Sequence, residues 1–265
     1  MINAPPARRT WPPSAYQGQV VALTGAAGEL GAALIPGLVG IGATVVAVDR
    51  TAGSTVGVEW EEADLSREDD VEALFRRVGE RHGQIALLVN NAGGGAPLPL
   101  ARLDAEAIRA TLDANLVSAM LCTRAAAPLL AAAEGGAVVN MSSTAARTMS
   151  LRLSAAYSAA KAALIGYTRH AAFELAPDGV RVSALCPGSV LTPGVERLLG
   201  RDRVTAVAAS LPLGRWVTPD DVLAATLFLG SPAASAVTGA ALDLDAGALV
   251  ANGITRARYY ELQEL

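Results

Sequence analysis

The chain of 265 residues is poor in lysine, histidine, cysteine and aromatic side chains. Its two cysteines, Cys122 and Cys186, lie far apart and outside any C-x-x-C pattern, so we expect neither a disulfide framework nor a metal site. The formal net charge is -4, which provides no basic surface for nucleic acid or for an anionic membrane. The composition therefore favours a small molecule as the binding partner.

Long uninterrupted apolar runs are also missing. Residues 30–48 and 222–242 carry no charge over nearly the length of a membrane span, but glycine and proline interrupt both, and each ends in a run typical of a buried strand. Residues 1–17 contain four prolines and no apolar stretch, which predicts a flexible arm rather than an export signal. We therefore expect a cytoplasmic protein that does not enter the membrane.

Between residues 18 and 250, short apolar runs alternate with longer stretches of helical pattern. This alternation predicts an α/β fold in which helices cover both faces of a doubly wound parallel sheet, built as one domain. Residues 66–83 form the clearest predicted helix, because acidic side chains crowd its start and basic ones its end. The predicted strands, in chain order, are residues 19–25, 44–50, 85–93, 136–143, 180–188 and 239–247.

A sheet of this kind binds ligands where the carboxyl ends of its strands meet the following loops. The first predicted strand leads into Thr24-Gly25-Ala26-Ala27-Gly28-Glu29-Leu30-Gly31, whose glycines suit a tight turn against a pyrophosphate at a helix N-terminus. Asp49 closes the second strand, where its carboxylate can bind both ribose hydroxyls of an adenosine and repel a 2′-phosphate. NAD is therefore favoured over NADP, as the small Ala27 also indicates, although Arg50 could instead turn toward a phosphate.

Lys161 is the single lysine among 21 basic residues, and the others are arginines. A codon bias explains the skew, and a lysine that persists under it is either an accident or a residue that arginine cannot replace. Tyr157 lies four positions earlier in an alanine-rich stretch of helical pattern, so the two side chains share a helix face. An ammonium about 4 Å from a phenol contributes on the order of 4 kcal/mol at an effective dielectric of about 20. The sequence therefore predicts that Lys161 lowers the pKa of Tyr157 toward neutrality, so that the phenol exchanges protons.

Two further polar positions precede this pair. The strand at residues 136–143 ends in Ser142 and Ser143, whose hydroxyls could hold a substrate oxygen near the Tyr157 phenol. Asn115 lies within a helical stretch, where an amide on an apolar face needs a hydrogen-bond partner. That partner is either an ordinary core contact or part of a functional site.

The segments TGAAGELG, VDR, ADL, NNAG, SS, YSAAK and PGSVLT occur in an order that resembles the short-chain dehydrogenase/reductase family over roughly residues 18 to 250. The resemblance implies a Rossmann-type domain with about seven strands, a nicotinamide cofactor and a homotetramer or homodimer. It also implies that Tyr157 is the general acid/base and that Lys161 lowers its pKa and binds the nicotinamide ribose. Ser143 would orient the reacting oxygen, and Asn115 would hold a water of the proton relay.

The same resemblance assigns cofactor-binding residues to the ends of several strands. Besides Tyr157 and Lys161 they are Gly25, Ala27, Gly28, Glu29, Leu30, Gly31, Asp49, Arg50, Asp64, Leu65, Asn91, Ala92, Gly93, Pro187, Gly188, Val190 and Thr192. Ser143 lies one position further from Tyr157 than is usual in the family, which leaves Ser142 or Thr144 as alternatives. Residues 251–265 extend past the usual end of the family and are expected to pack on a neighbouring subunit.

We therefore expect NAD-dependent interconversion of a secondary alcohol and a ketone. Two alternatives remain: a dinucleotide-binding regulatory or structural protein, and an epimerase or dehydratase without net redox change. Residues 193–216, the expected lid, combine an apolar face with four arginines, which fits a medium-sized and partly apolar substrate. Nothing in the residues selects one alcohol.

Overall fold

The computed structural model describes residues 16–150, 152–251 and 253–263, so nearly all of the arm predicted for residues 1–17 lies outside the described residues. Seven parallel strands form one sheet in the spatial order β3-β2-β1-β4-β5-β6-β7. In chain order they are β1 (Val20–Thr24), β2 (Thr44–Asp49), β3 (Val58–Glu62), β4 (Leu87–Asn90), β5 (Ala137–Met141), β6 (Arg181–Pro187) and β7 (Ala241–Leu244).

Helices connect the strands and cover both faces of the sheet. They are α1 (Glu29–Gly40), α2 (Glu68–His82), α3 (Ala105–Leu112), α4 (Ser118–Ala131), α5 (Ala155–Leu175), α6 (Pro193–Ser210), α7 (Pro219–Gly230), α8 (Ala248–Ala251) and α9 (Arg256–Gln263). A π-helical segment, Asp113–Val117, joins α3 to α4. The predicted fold class is therefore confirmed, and α2 coincides with the helix predicted for residues 66–83.

Each of the six predicted strands is present, but one strand was missed. β3 reads VEWEE and lies at the edge of the sheet, where it pairs with β2 alone among the strands that the structure describes. Its charges pair with the adjacent helix: Arg77 of α2 contacts Glu61 at 2.7 Å, and Arg81 contacts Glu59 at 3.6 Å. β3 was missed because the strands were predicted from apolar runs, and β3 carries charged side chains that α2 neutralises.

The strands are apolar because both faces of the sheet are buried. Along β1, Val21 and Leu23 face one core with α1 and α7, whereas Val20 and Ala22 face a second core with α2, α4 and α5. All four side chains are at most 6% exposed. Since alternate strand residues point to opposite faces, double burial leaves few positions for polar groups except at the strand ends.

The strand order determines where the site lies. β1 pairs with β2 on one side and with β4 on the other, so the chain crosses over in opposite directions on either side of β1. A crevice opens beyond the carboxyl ends of strands at such a reversal. Thr24, Asp49 and Asn90 are the last residues of β1, β2 and β4, and they lie at this edge.

The described residues contain one helical stretch, Ala105–Ala131, that is long and apolar enough to cross a membrane by length and composition alone. Within it, Cys122, Ala126 and Leu130 are fully buried in the core shared with α2. This packing is that of a core helix. The two uncharged stretches noted in the sequence are each divided between a helix and a strand: α1 with β2, and α7 with β7.

Candidate active site

A cavity of about 2080 Å³ opens along the carboxyl edge of the sheet. It is lined by the glycine-rich turn after β1, by Asp49, and by Ser143, Tyr157 and Lys161. The structure therefore brings the two halves of the predicted site, the dinucleotide loop and the Tyr–Lys pair, into one cavity.

The glycine turn is shaped by close backbone contact. Gly25 has φ +64, and a Cβ added there would lie 2.7 Å from the Ala92 Cα, so both the conformation and the space require glycine. Gly28 precedes α1 and supplies no side-chain cap to the first-turn N–H groups. A helix N-terminus without a cap, lining a cavity beside a glycine turn, offers N–H donors to a phosphate group. The residues present thus fit a dinucleotide.

Thr24 and Asn91 fasten this turn to the loop after β4. The Thr24 hydroxyl accepts hydrogen bonds from the backbone N–H groups of Asn91 and Ala92, both at 3.0 Å. The Asn91 amide donates to the carbonyls of Thr24 and Gly25, also at 3.0 Å. Asn91, predicted to bind cofactor, therefore holds the glycine turn in place. Thr24 was missed as a site residue, although a polar side chain at the end of an apolar strand was a signal for it.

Asp49 and its neighbours form the far end of the cavity. The Asp49 carboxylate accepts from the backbone N–H groups of Ala27 at 2.9 Å and Arg50 at 2.7 Å, and it retains lone pairs for further donors. The Asp64 carboxylate accepts from Ser66, which lowers the pKa of Asp64 together with a smaller effect of the Arg50 charge. Leu65, which also lines the cavity, is 7% exposed.

The two serines after β5 have different partners. Ser142 donates to the backbone carbonyl of Lys161 at 2.8 Å and is buried. The Ser143 hydroxyl accepts from the Ala145 N–H at 3.1 Å, and it lies near enough to the Tyr157 phenol to lower the pKa of that phenol. Of the two serines, Ser143 is therefore the one that acts on the Tyr157 phenol, and its role in orienting the substrate stays a prediction.

Lys161 lies beneath the site in α5. Its side chain is 4% exposed, its ammonium donates to the Met141 carbonyl at 2.8 Å, and Nζ lies 5.6 Å from the centroid of the Tyr157 ring. Burial lowers the pKa of Lys161 to about 8, because the charged form loses its hydration. The ammonium is still mostly protonated at pH 7.

The pKa shift predicted for Tyr157 is wrong in direction. Burial raises the pKa of the Tyr157 phenol, and the hydrogen bond with Ser143 opposes this only in part. The sequence argument counted the attraction of a nearby ammonium but not the cost of removing a phenolate from water. In this structure Tyr157 is a protonated donor at neutral pH.

Asn115 lies in the π-helical segment and is 1% exposed. Its amide donates to the carbonyls of Gly94 at 2.6 Å and Thr111 at 2.9 Å, and its oxygen accepts from the Gly94 N–H at 3.0 Å. Asn115 thus links the turn after β4 to α3, the helix that contains Thr111 and flanks the cavity. The water assigned to it by resemblance stays a prediction.

The segment after β6 closes the other side of the site. Pro187 ends β6, and a Cβ added at Gly188 would lie 3.0 Å from the Asp245 Cα. Val190 bridges to Val217, and Thr192 begins α6 as its N-cap. Thr192 also donates to the Glu29 carboxylate across the cavity.

Comparison with known proteins identifies the family. A family model described as enoyl-(acyl carrier protein) reductase matches residues 25–248. The solved structure of a short-chain dehydrogenase/reductase from Burkholderia xenovorans has a TM-score of 0.80 at 31% identity, covering 89% of this chain and 98% of that one. This chain belongs to the short-chain dehydrogenase/reductase family.

Its relatives differ in substrate. The cis-4-hydroxycyclohexanecarboxylate dehydrogenase of Sinomonas cyclohexanicum is 38% identical over 88% of this chain and 97% of that protein. The D-threitol dehydrogenase of Mycolicibacterium smegmatis is 34% identical over 87% and 92% of the two chains. The aldohexose dehydrogenase structure from Thermoplasma acidophilum has a TM-score of 0.83 at 28% identity, covering 89% and 96%. This short-chain dehydrogenase/reductase is therefore an oxidoreductase of CH–OH groups, and its family uses a nicotinamide dinucleotide.

The contacts of Thr24 lead to a stability prediction. Replacing Thr24 with Val leaves the N–H groups of Asn91 and Ala92 without their acceptor, whereas Thr24→Ser keeps the hydroxyl. We expect the valine variant to lose about 1–3 kcal/mol of unfolding free energy relative to the serine variant, measured by urea denaturation. Equal stability of the two variants would contradict the bracing role.

The burial of Lys161 leads to a pH-dependent prediction. The unfolded chain keeps the proton on Lys161 up to the ordinary lysine pKa of 10.5, whereas the folded chain loses it above the lowered pKa of about 8. Folding stability should therefore rise with pH across this window, by about 2–3 kcal/mol relative to the Lys161→Met variant. Denaturation from pH 7 to 10 measures the difference. Arg169→Met, at an exposed position of the same helix, is the control, and parallel curves for wild type and Lys161→Met would refute the shift.

Proposed function

We propose that this short-chain dehydrogenase/reductase interconverts a secondary alcohol and a ketone with NAD(H), and that Tyr157 exchanges the hydroxyl proton. The observation that carries the proposal is the buried Lys161 amine 5.6 Å from the centroid of the Tyr157 ring, in a cavity that Ser143 and the glycine turn also line. A proton donor and a dinucleotide loop in one cavity support hydride transfer coupled to proton transfer.

The raised pKa of Tyr157 suits the reductive direction. As hydride reaches the carbonyl carbon, negative charge develops on the oxygen, and a protonated phenol can donate to it. Ser143, which lines the same cavity, would donate a hydrogen bond to that oxygen and fix its position. In the oxidative direction the same groups act in reverse, and the phenolate must then be available to accept the proton.

Lys161 supports this exchange from below the ring. One of its three N–H groups is taken by the Met141 carbonyl, which fixes the ammonium and leaves two donors. Its positive charge favours the phenolate that remains after Tyr157 has donated. One remaining N–H group would bind the nicotinamide ribose.

The residues that would hold the cofactor follow from the cavity. The turn from Gly25 to Gly31 and the first-turn N–H groups of α1 would bind the pyrophosphate, and Asp49 the adenosine ribose. Asp64 and Leu65 would contact the adenine, while Val190 and Thr192 would contact the nicotinamide end. When bound, the nicotinamide ring supplies or accepts the hydride.

The substrate end of the cavity is mainly apolar. The apolar side chains that line it include Met149, Leu153, Val195, Leu198, Leu199, Val207, Leu211, Trp216 and Leu249. Arg152 and Arg203 also line the cavity. We propose a medium-sized, partly apolar ketone or alcohol as substrate, and the hydroxycyclohexanecarboxylate named for one relative is a suitable first member of a test panel. A cytoplasmic location and a homotetramer stay predictions.

The role of Tyr157 can be tested by removing one oxygen atom. Tyr157→Phe should lower kcat by about 10²- to 10⁴-fold, because the general acid is lost, while the Kd for NADH changes little. Activity is measured by NADH absorbance with a panel of alcohols and ketones, and binding by NADH fluorescence. Tyr167→Phe is the matched control, since Tyr167 lies on the same helix and does not line the cavity.

Two outcomes would contradict the proposal. A Tyr157→Phe enzyme that keeps most of its kcat would remove Tyr157 from the proton exchange. Loss of substrate without net change in NADH absorbance would instead favour the epimerase or dehydratase alternative.

The preference for NAD depends on the Asp49 carboxylate. We expect NADH to bind at least about tenfold more tightly than NADPH, because a 2′-phosphate would face a like charge. Asp49→Asn should narrow this ratio mainly by improving NADPH binding, measured as two Kd values by fluorescence. Asp69→Asn, on the exposed first turn of α2, is the control. A wild-type enzyme that prefers NADPH would show that attraction of the 2′-phosphate by Arg50 outweighs its repulsion by Asp49.

A further inference from the structure

Glu29 places a carboxylate at the start of the phosphate-binding helix. It is the first residue of α1, directly after the uncapped Gly28, and it lines the cavity. Glu29 is exposed, and its carboxylate accepts a hydrogen bond from the Thr192 hydroxyl. A Cβ added at Gly194 would overlap the same carboxylate, so the chain has glycine where the Glu29 side chain packs against it.

This contact joins two elements that are far apart in sequence. Thr192 is 6% exposed and is the N-cap of α6, whose first turn it also binds by accepting from the Val195 N–H at 3.3 Å. One threonine hydroxyl thus links the glycine turn to the first turn of the lid helix.

The lid helix has few other attachments. Of its described side chains only Ala208 is buried, and Leu198 is 73% exposed. Gly200 interrupts the helix with φ 72 and ψ 162, which divides α6 into two parts. The second part is held by the Trp216 indole, which donates to the Val204 carbonyl at 2.8 Å. The first part is held at its start by the Glu29–Thr192 bond, and the segment before it by the bridge between Val190 and Val217.

The charge of Glu29 conflicts with the ligand proposed for the same helix end. Free N–H groups and the positive end of the helix dipole stabilise one anionic group there. The Glu29 carboxylate already lies beside them, and a pyrophosphate at the same end would repel it at short range.

We propose that Glu29 and Thr192 form a clasp that fastens the first half of the lid to the glycine turn, and that pyrophosphate binding opens it. The opening by pyrophosphate rests on the dinucleotide site of the proposed function. The clasp itself rests only on contacts within the chain. Glu29 is then a positioning residue. Its hydrogen bond holds the lid, and its charge weakens cofactor binding.

The first test follows the lid without any cofactor. The chain has a single buried lysine, so trypsin cuts mainly after arginine, and Arg197, Arg201 and Arg203 lie in α6. Glu29→Gln replaces a charge-assisted hydrogen bond by a neutral one and should speed cleavage at these sites about three- to tenfold, with the sites identified by mass spectrometry. Thr192→Val should do the same and Thr192→Ser should not. Unchanged lid cleavage in both Glu29→Gln and Thr192→Val would overturn the clasp.

The second test measures competition with the pyrophosphate. Glu29→Gln should lower the Kd for NADH at least about threefold and weaken its dependence on salt concentration, because one like charge is removed. Glu106→Gln, the same change in the first turn of α3 and away from the cavity, is the control. An unchanged or higher Kd in Glu29→Gln would overturn the competition. If wild type bound neither NADH nor NADPH, the proposed function would fail, while the proteolysis result on the clasp would stand.

Discussion

Burial of the sheet on both faces is the constraint from which the site follows. A parallel sheet covered by helices can hold apolar side chains along its strands, as Val21 and Ala22 do on opposite faces of β1. Polar groups are left to the strand ends, and at the carboxyl edge the reversal of strand order beside β1 opens a crevice. Thr24, Asp49 and Ser143 lie at this edge, where the side chains reach the cavity or the loops around it.

The same burial determines the electrostatics of the Tyr157–Lys161 pair. Removing both groups from water raises the pKa of the phenol from 10.0 and lowers that of the amine from 10.5 to about 8, so the phenol becomes the weaker acid of the two. The hydrogen bond from the Lys161 ammonium to the Met141 carbonyl fixes the amine beside the phenol.

Much of the fold could be predicted from the sequence, because double burial produces apolar runs that are visible without a structure. β3 could not, since Glu59 and Glu61 are neutralised by arginines of α2 that only the fold brings near. Lys161 could be predicted as a site residue because it is the single lysine, and Tyr157 because it lies four positions earlier on the same helix face. The direction of the Tyr157 pKa, the choice of Ser143 over Ser142, and the Glu29–Thr192 bond depend on burial and on contacts between distant segments, which no local pattern reports.

Lys161 is the only lysine of the chain, and it is 4% exposed with a pKa of about 8. The surface therefore carries no lysine amine for an acylating label, although arginines provide ample positive charge. Because Lys161 lines the cavity, an amine-reactive reagent that reaches this side chain in the folded protein has to enter the cavity. Covalent labelling of this one nitrogen would then report access to the cavity as a single mass change.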